Sequence, residues 1–401
     1  MREQTSAAGE NGRSGHRSAL PPIAVGQLIS WGTLYYGLTF LAEPIREDTG
    51  WSLTQIFGSF SGGLLVAALC APLVGELIAR WTGRICLTAG SLLASAALAI
   101  IALSPTFTGF AVGWLLAGVA MAATLYEAGF STLRESSGSE FRRQVSALAV
   151  ISGLASTLAW PLAAALVAVA DWRTAFLCFA ALQLAVAAPV HWSLPRRQDE
   201  HGPNGPQDPT PSPKPRNHGP ALWCAALALA LAALLSGAVS AHLAVLLSAQ
   251  GIEDTFIVWA AVLIGPMQVL ARAADMAWHR AYSIRILGLV ALGLPPLGIA
   301  LLLAAPHWPI AVLIFALLYG AGHGLITIVK ALVPTLLAPS SAYARVTGRL
   351  AAPALITRAL APALAAFMLE ATDARATLLA LIAAGLLSVT VFVTCFRRLK
   401  S

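Results

Sequence analysis

The stretch PRRQDEHGPNGPQDPTPSPKPRNHG, residues 195–219, separates two long apolar parts of the chain. It contains seven prolines, three glycines and charges of both signs, and it has no aliphatic residue. Such a composition cannot bury enough apolar surface to offset the entropy that is lost when a chain is ordered. We therefore predict a flexible or polyproline-like linker, with the folded protein on either side of it.

The composition of the whole chain indicates a membrane protein. Of its 401 residues 58% are hydrophobic and only 11% are charged, whereas soluble domains contain about 25% charged residues. With a mean hydropathy of +0.75, the expected surroundings are a lipid bilayer. A net charge of +7 could suggest a nucleic-acid partner, but the basic residues lie in short loops between apolar runs, so none is expected.

Motifs for cofactors and metals are absent from the sequence. The five cysteines lie within apolar runs without metal-ligand spacing, which predicts small buried side chains. There is no nucleophile–base arrangement and no glycine-rich nucleotide loop. The sequence therefore predicts no cofactor, no metal site, no ATP-driven cycle and no enzyme activity.

Twelve apolar runs are long enough to cross a bilayer, which takes about 20 residues of helix. The six before the linker are 20–42, 54–79, 84–104, 107–132, 144–169 and 172–193, and the six after it are 220–247, 255–277, 283–303, 309–334, 345–370 and 375–397. With the N-terminus inside, the inner loops and tails carry 19 of the 25 Lys and Arg residues, the outer loops three and the spans three. This asymmetry predicts an integral plasma (inner) membrane protein with both termini and the linker in the cytoplasm.

Short matches recur between the two parts at a nearly constant offset. The pairs are TGWSLT at 49–54 with QGIEDT at 250–255, FRR at 141–143 with YAR at 343–345, and DWR at 171–173 with DAR at 373–375. In the last pair each aspartate is expected to cap the span that follows. The repeat predicts an all-α fold of twelve transmembrane helices in two pseudo-symmetric six-helix bundles, 20–194 and 220–397, with the linker 195–219 and cytoplasmic tails 1–19 and 398–401.

The loop between spans 2 and 3 reads GELIARWTGR, residues 75–84, and resembles the signature loop G-x-L-x-D-R-x-G of the major facilitator superfamily. The matching positions are Gly75, Arg80, Gly83 and Arg84, whereas Ala79 replaces the usual aspartate and Thr82 a glycine. With the spans and the repeat, the resemblance covers nearly the whole chain. It implies a secondary transporter that works by alternating access on a small-molecule substrate, as a monomer.

Three stretches are similar to the monocarboxylate and oxalate–formate branch of that superfamily, namely YYG at 35–37, GWS at 50–52 and FRR at 141–143. The branch has an Asp-x-x-x-Arg pair in span 8 whose arginine meets the substrate carboxylate. Here Arg272 keeps the arginine and Gln268 replaces the aspartate. The branch's lysine in span 1 would fall near Phe40 and is absent, so proton coupling by the lysine–aspartate route is not supported.

Charged residues within spans are costly and usually face a polar cavity. In span 8, Gln268, Arg272 and Asp275 share one helical face. We expect Arg272 to bind an anionic substrate through its planar guanidinium, with an internal ion pair to Asp275 as the alternative.

Glu127 in span 4 and Lys330 in span 10 occupy corresponding positions of the repeat, at an offset of 203. Glu127 is a candidate proton carrier, and the alternative is a pair with Arg134. Lys330 could meet Glu127 across a central cavity and hold a gate shut, or it could extend towards the cytoplasmic surface. With Asp275, these residues form the candidate set for proton coupling or gating.

Three further residues are candidates for the substrate site. His323 shares a face of span 10 with Lys330 and could titrate near neutrality, although a lone histidine is often only hydrogen-bonded. Arg358 in span 11 could contact an anion or pair with Glu127 or Asp275. Tyr36 could offer its hydroxyl to a substrate, although aromatic residues in spans more often serve packing.

The sequence leaves two transport functions open. One is a transporter of a small organic anion such as a monocarboxylate, with Arg272 as the anion contact and protons as a candidate coupling ion. The alternative is a proton-driven exporter of drugs or metabolites that depends mainly on Glu127. A membrane enzyme or receptor on the same scaffold has no supporting motif.

Overall fold

The computed structural model describes residues 18–195, the first half, and 219–400, the second half. Within these ranges the protein is helical and has no β-strand. The helices are α1 Leu20–Ser30, α2 Leu38–Thr49, α3 Leu53–Arg80, α4 Gly83–Leu103, α5 Phe107–Thr124, α6 Tyr126–Ser136, α7 Phe141–Gly153, α8 Ala155–Val169, α9 Trp172–Leu182, α10 Ala188–Trp192, α11 Gly219–Ser248, α12 Asp254–Trp278, α13 Ile284–Leu302, α14 Ile310–Leu337, α15 Tyr343–Ala371 and α16 Ala374–Lys400. Most of the predicted linker and N-terminal tail lies outside the described residues.

Eleven helical segments of the described chain are long and apolar enough to cross a membrane. They are α3, α4, α5 with α6, α7 with α8, α9 with α10, and each of α11 to α16. The region of the first predicted span is helical as well, but a π-helical turn at Trp31–Tyr36 divides it into the shorter α1 and α2. Large apolar side chains such as Leu73 and Phe367 remain exposed, as expected of helices whose outer faces contact lipid.

Side-chain caps define where several helices begin. Ser52 and Gln55 form a reciprocal capping box at the start of α3. The Asp171 carboxylate accepts a hydrogen bond from the Thr174 amide at 2.6 Å at the start of α9. Asp373 accepts one from the Ala376 amide at 2.6 Å at the start of α16. The predicted capping role of the two aspartates is therefore confirmed.

The fourth span is interrupted in its middle. Leu125, with φ −83° and ψ −164°, leaves the helical conformation, so that α5 ends at Thr124 and α6 begins at Tyr126. A broken helix inside a membrane needs other partners for its freed backbone groups. The buried Gln27 supplies one, because its Nε2 donates to the Thr124 carbonyl at 2.5 Å. The interruption brings the first turn of α6, including Glu127, to the protein interior.

The two halves pack closely where α3 ends and α15 begins. A Cβ atom on Gly75 would lie 2.4 Å from the Ala344 carbonyl oxygen, and one on Gly348 would lie 2.4 Å from the Ala71 carbonyl oxygen. Only glycine permits this approach of the two backbones. At the same end α7 packs against α12. We refer to this part of the molecule as the closed end.

Candidate functional site: a charged central cavity

A cavity of about 1280 Å³ lies between the two halves. The π-helical turn, α3 and α5 to α8 line it from the first half, and α11, α12, α14 and α15 line it from the second. At the end opposite to the closed end, the lining residue Phe57 is 40% exposed. The volume exceeds the 300–1,000 Å³ that is usual for sites of drug-sized ligands, so the cavity can admit a substantial organic molecule.

The charges of the cavity are unequal. Among the described lining residues, three are cationic, Arg272, Lys330 and Arg358, and all come from the second half. The single carboxylate in the lining belongs to Glu127 of the first half. We call the three cations the cationic wall. Charges of one sign in a cleft with low-dielectric walls attract ligands of the opposite sign.

Arg272 is only 5% exposed and is held by the protein on several sides. Its Nε donates to the Gly324 carbonyl at 3.2 Å, and its Nη1 donates to the Ala149 carbonyl at 3.1 Å. Nη2 lies 3.3 Å from Thr327 Oγ1 and 3.5 Å from Gln268 Oε1. Arg272 thus joins α12 to α14 and, through Ala149, to α7 of the other half.

Asp275 makes its contacts at the closed end and does not line the cavity. Its carboxylate accepts hydrogen bonds from Arg142 Nη2 at 2.7 Å, Ser146 Oγ at 2.6 Å and the Tyr282 hydroxyl at 2.8 Å. Burial and the bond to Asp275 raise the pKa of the Tyr282 hydroxyl to about 12, so it remains a donor. The pair of Asp275 with Arg272, one of the alternatives from the sequence, is not formed, and Arg142 takes that place.

A second ion pair joins the halves at the closed end. Glu76 accepts from Arg345 Nε at 2.7 Å and from Arg80 Nε at 2.9 Å. Arg345 lies in the first turn of α15 and Arg142 in the first turn of α7, and these two helices begin with the matching triplets YAR and FRR. Each half therefore presents an arginine to an acidic residue of the other half.

The remaining residues of the signature loop fix local structure. The Gly83 amide donates to both carboxylate oxygens of Glu135, at 3.1 and 3.3 Å. A Cβ atom on Gly83 would meet the Thr132 side chain, so the glycine permits close contact of α4 with α6. The Arg84 guanidinium lies 4.1 Å above the Trp192 ring. The loop thus ties the start of α4 to α6 and α10.

Glu127 and Lys330 face the cavity from opposite halves. They are not in direct contact, because no ion pair within 4.0 Å joins them in the described chain. Arg134, the alternative partner of Glu127, donates instead to the Gly138 carbonyl and to Ser340 Oγ, both at 3.1 Å. Within the described residues neither side chain forms a hydrogen bond, so both are free to meet a ligand.

Eight aromatic side chains line the cavity from the first half; Phe57 and Phe130 are two of them, and we call the other six the aromatic wall. These six are Trp31, Tyr35, Tyr36, Phe60, Tyr126 and Trp160. The π-helical turn carries the first three of them. The Tyr35 hydroxyl accepts a hydrogen bond from Arg358 Nη2 at 3.2 Å, so the aromatic and cationic walls touch at this point.

His323 lines the cavity from α14 beside the cationic wall. Its ring stacks on Tyr319 with 5.8 Å between the ring centres. Its Nδ1 is buried without a hydrogen-bond partner among the described residues. The cavity therefore brings together all the sequence-predicted substrate residues, namely Arg272, Gln268, Tyr36, His323 and Arg358, together with Glu127 and Lys330.

Sequence reasoning assigned no role to the residues that hold the closed end, Arg142, Ser146, Tyr282, Glu76 and Arg345. One signal for two of them was present in the sequence. Arg142 and Arg345 belong to the matching triplets FRR and YAR, which open equivalent spans on the same predicted side of the membrane. Within these triplets Arg345 corresponds to Arg143, and Arg142 corresponds to Ala344, so the repeat indicated the region of the contact between the halves but not its residues.

A set of apolar spanning helices around a central cavity, closed at one end by contacts between two halves, defines a membrane transporter. The chain belongs to the Major Facilitator Superfamily, whose family model matches residues 23–295. It is accordingly a transporter, not an enzyme. No curated protein sequence matches the chain significantly.

Solved transporters of this superfamily have similar structures. The human organic anion transporter MFSD10 (TETRAN) superposes with a TM-score of 0.75 at 17% identity, covering 94% of this chain and 99% of its own. FucP in the outward conformation gives 0.71 at 10% identity, with 94% and 99% covered. The proton:xylose symporter XylE bound to 6-bromo-6-deoxy-D-glucose gives 0.70 at 11% identity, with 93% and 94% covered. These likenesses establish the fold.

Proposed function

We propose that the protein is a secondary transporter that moves a small organic anion by alternating access. The observation that carries the proposal is the cationic wall of three side chains, which faces a single carboxylate across the cavity. Ionised groups within a membrane protein are costly and mark substrate or ion pathways. An anion that enters this cavity offsets the mutual repulsion of the cations.

Lys330 and Arg358 are the proposed first contacts of the anion. Lys330 forms no hydrogen bond within the described residues, and Arg358 donates to Tyr35 alone. Arg272 already makes four such contacts, one of them to Ala149 of the other half. We assign Arg272 two roles, namely to add charge to the site and to release Ala149 when the halves move apart.

The state described here is proposed to face outward. The closed end carries Arg80, Arg142 and Arg345, and an excess of basic residues is typical of the cytoplasmic side. The proposed layout retains twelve spans in two six-helix bundles, in the inner membrane, as a monomer. Transport then requires the ion pairs of the closed end to open while the opposite end closes.

The free carboxylate of Glu127 favours a second candidate, a proton-driven exporter of cationic or neutral compounds. A carboxylate that faces the cavity without a partner can bind and release a proton during the cycle. The same property would allow proton coupling of anion transport. The two functions differ in the residues on which transport depends. Anion transport depends on Lys330 and Arg358, whereas the exporter depends on Glu127.

Uptake into proteoliposomes distinguishes these functions. Lys330→Gln and Arg358→Gln should each slow uptake of a radiolabelled carboxylate about tenfold or more, because each removes a charge-assisted contact. Arg375→Gln, which alters an exposed arginine away from the cavity, serves as the control and should leave uptake unchanged. The exporter would be established instead by two results together. Anion uptake would be undiminished in the variant that combines Lys330→Gln with Arg358→Gln, and Glu127→Gln would abolish the export of a cation.

A further inference from the structure

The two sides of the cavity differ in chemistry. The first half contributes the aromatic wall, and the second half contributes the cationic wall. A ligand that is charged throughout would leave the aromatic side chains in contact with water, and an apolar ligand would leave the cations without an anion. The cavity is thus complementary to a molecule with an anionic group at one end and an apolar body at the other.

The aromatic wall is continuous, and several of its ring pairs pack edge to face. The ring centres of Trp31 and Tyr35 lie 5.2 Å apart, those of Tyr35 and Phe60 5.5 Å, and those of Tyr36 and Trp160 6.2 Å. The ring planes in these three pairs are inclined to each other by 66°, 67° and 88°, respectively. A further ring can join such a cluster with the same preferred geometry, which adds to the stabilisation from apolar burial alone.

The junction of the two walls can bind an anionic group with two donors. Arg358 Nη2 donates to the Tyr35 oxygen at 3.2 Å, which leaves the Tyr35 hydroxyl proton free to donate elsewhere. A carboxylate placed here would accept from Tyr35 and from the unused nitrogens of Arg358. A ring attached to that carboxylate would then lie against Phe60 or Trp31, which both neighbour Tyr35.

We propose that the substrates are aromatic organic anions, with the anionic group at Arg358 and Tyr35 and the ring system against the aromatic wall. This inference rests on the proposed anion transport and narrows its substrate class. A two- or three-carbon acid would fill little of the 1280 Å³ cavity and would leave the aromatic wall without a contact. A body of one or two rings covers that wall.

Three related probes test the proposal by calorimetric titration of the purified full chain. These are 2-naphthoate, its saturated analogue decahydro-2-naphthoate, and the uncharged 2-naphthamide. We expect 2-naphthoate to bind about tenfold more tightly than the saturated acid, because several aromatic contacts are lost in the latter. The amide should show no measurable binding.

Variants locate the two parts of the site. Trp160→Leu should remove most of the preference for 2-naphthoate over the saturated acid, whereas Trp223→Leu, which changes a 66% exposed tryptophan outside the cavity, should retain it. Tyr35→Phe, which keeps the ring and removes the hydroxyl, should weaken both acids by a similar factor.

The binding results separate the aromatic preference from anion recognition. Equal affinities for the two acids, both weakened by Arg358→Gln, would overturn the aromatic preference and leave anion transport in place. Binding of 2-naphthamide as tight as that of 2-naphthoate would overturn anion recognition and with it the proposed function. Failure of both acids to bind would overturn the aromatic-anion proposal, and uptake of the radiolabelled carboxylate then decides the proposed function.

Discussion

Arg142 and Asp275 form an ion pair of 2.7 Å that joins α7 of the first half to α12 of the second. The Asp275 side chain is fully buried, and the Arg142 side chain is 14% exposed. The second pair at this end, Glu76 with Arg345, is more exposed to solvent, with side-chain exposures of 35% and 42%. Removing one partner of a buried pair leaves an uncompensated charge, so the first pair is the stronger tie at the closed end.

Asp275→Asn should destabilise the protein markedly. The change leaves the Arg142 guanidinium without its carboxylate, which costs about 3 kcal/mol for a buried pair. The measurement is thermal unfolding of the purified protein, where the midpoint should fall by several degrees.

Glu140→Gln is the matched control for that experiment. Glu140 pairs with Arg143 at 3.8 Å and Arg280 at 3.4 Å, but its side chain is 44% exposed. Its loss should cost less than about 0.5 kcal/mol, as for other surface pairs. Equal midpoints for the two variants would contradict the role given to the Asp275 pair.

Gly75→Ala should impair transport by holding the closed end apart. The added Cβ would lie 2.4 Å from the Ala344 carbonyl oxygen, a backbone atom that cannot move without shifting α15. Overpacking of this kind costs about 1–3 kcal/mol, so the initial transport rate should fall about tenfold.

Gly58→Ala, on the same helix α3, provides the comparison for Gly75→Ala. A Cβ atom at Gly58 meets nothing within 4 Å, and the variant should transport like the wild type. If both variants transport at the wild-type rate, close approach of α3 and α15 is not needed for the cycle.

Glu127→Gln should uncouple transport from protons while anion binding persists. One pH unit supplies about 1.4 kcal/mol, a tenfold accumulation for each proton that moves with the substrate. The variant should lose this accumulation but retain exchange of labelled for unlabelled substrate, because exchange needs no net proton movement. Removal of the single carboxylate from the described cavity lining should, if anything, strengthen anion binding.

The control for Glu127→Gln is Glu43→Gln. Glu43 pairs with Arg46 at the surface, and both side chains are about half exposed. Gradient-driven accumulation that survives Glu127→Gln would exclude that carboxylate as the proton carrier.

Gln27→Leu should destabilise the interrupted fourth span. Gln27 is fully buried, donates to the Thr124 carbonyl and accepts from Trp31 Nε1 at 3.0 Å. Leucine satisfies neither group, which costs on the order of 3 kcal/mol for two buried polar groups. Gln250→Leu, which alters a half-buried turn residue whose side chain donates to the Leu246 carbonyl, should change the unfolding midpoint far less.

The positions of most helices follow from the long apolar runs in the sequence, because crossing a bilayer requires a long apolar helix. The predicted span 54–79 is observed as Leu53–Arg80, and 255–277 as Asp254–Trp278. The interruption at Leu125 could not be anticipated, since no proline stands there and its stabilising partner, Gln27, lies 97 positions away.

The cavity was predictable in its charges but not in its contacts. Arg272, Lys330, Arg358 and Glu127 stood out because ionised residues are rare in apolar helices. Asp275 lies on the same helix as Arg272, yet it pairs with Arg142, 133 positions away. The partner of Asp275 is determined by how the two halves pack against each other, which helical periodicity in the sequence does not reveal.

The unequal charge of the cavity has a consequence for energetics across the membrane. Among the described lining residues, the empty cavity carries three cations against one carboxylate, and a bound monoanion lowers that excess of positive charge. A full unit charge that crosses 100 mV changes in energy by about 2.3 kcal/mol, and a charged site that moves through part of the voltage changes by a share of that. The empty and loaded carriers would therefore respond differently to an inside-negative potential, which would draw the empty site inward more strongly than the loaded one.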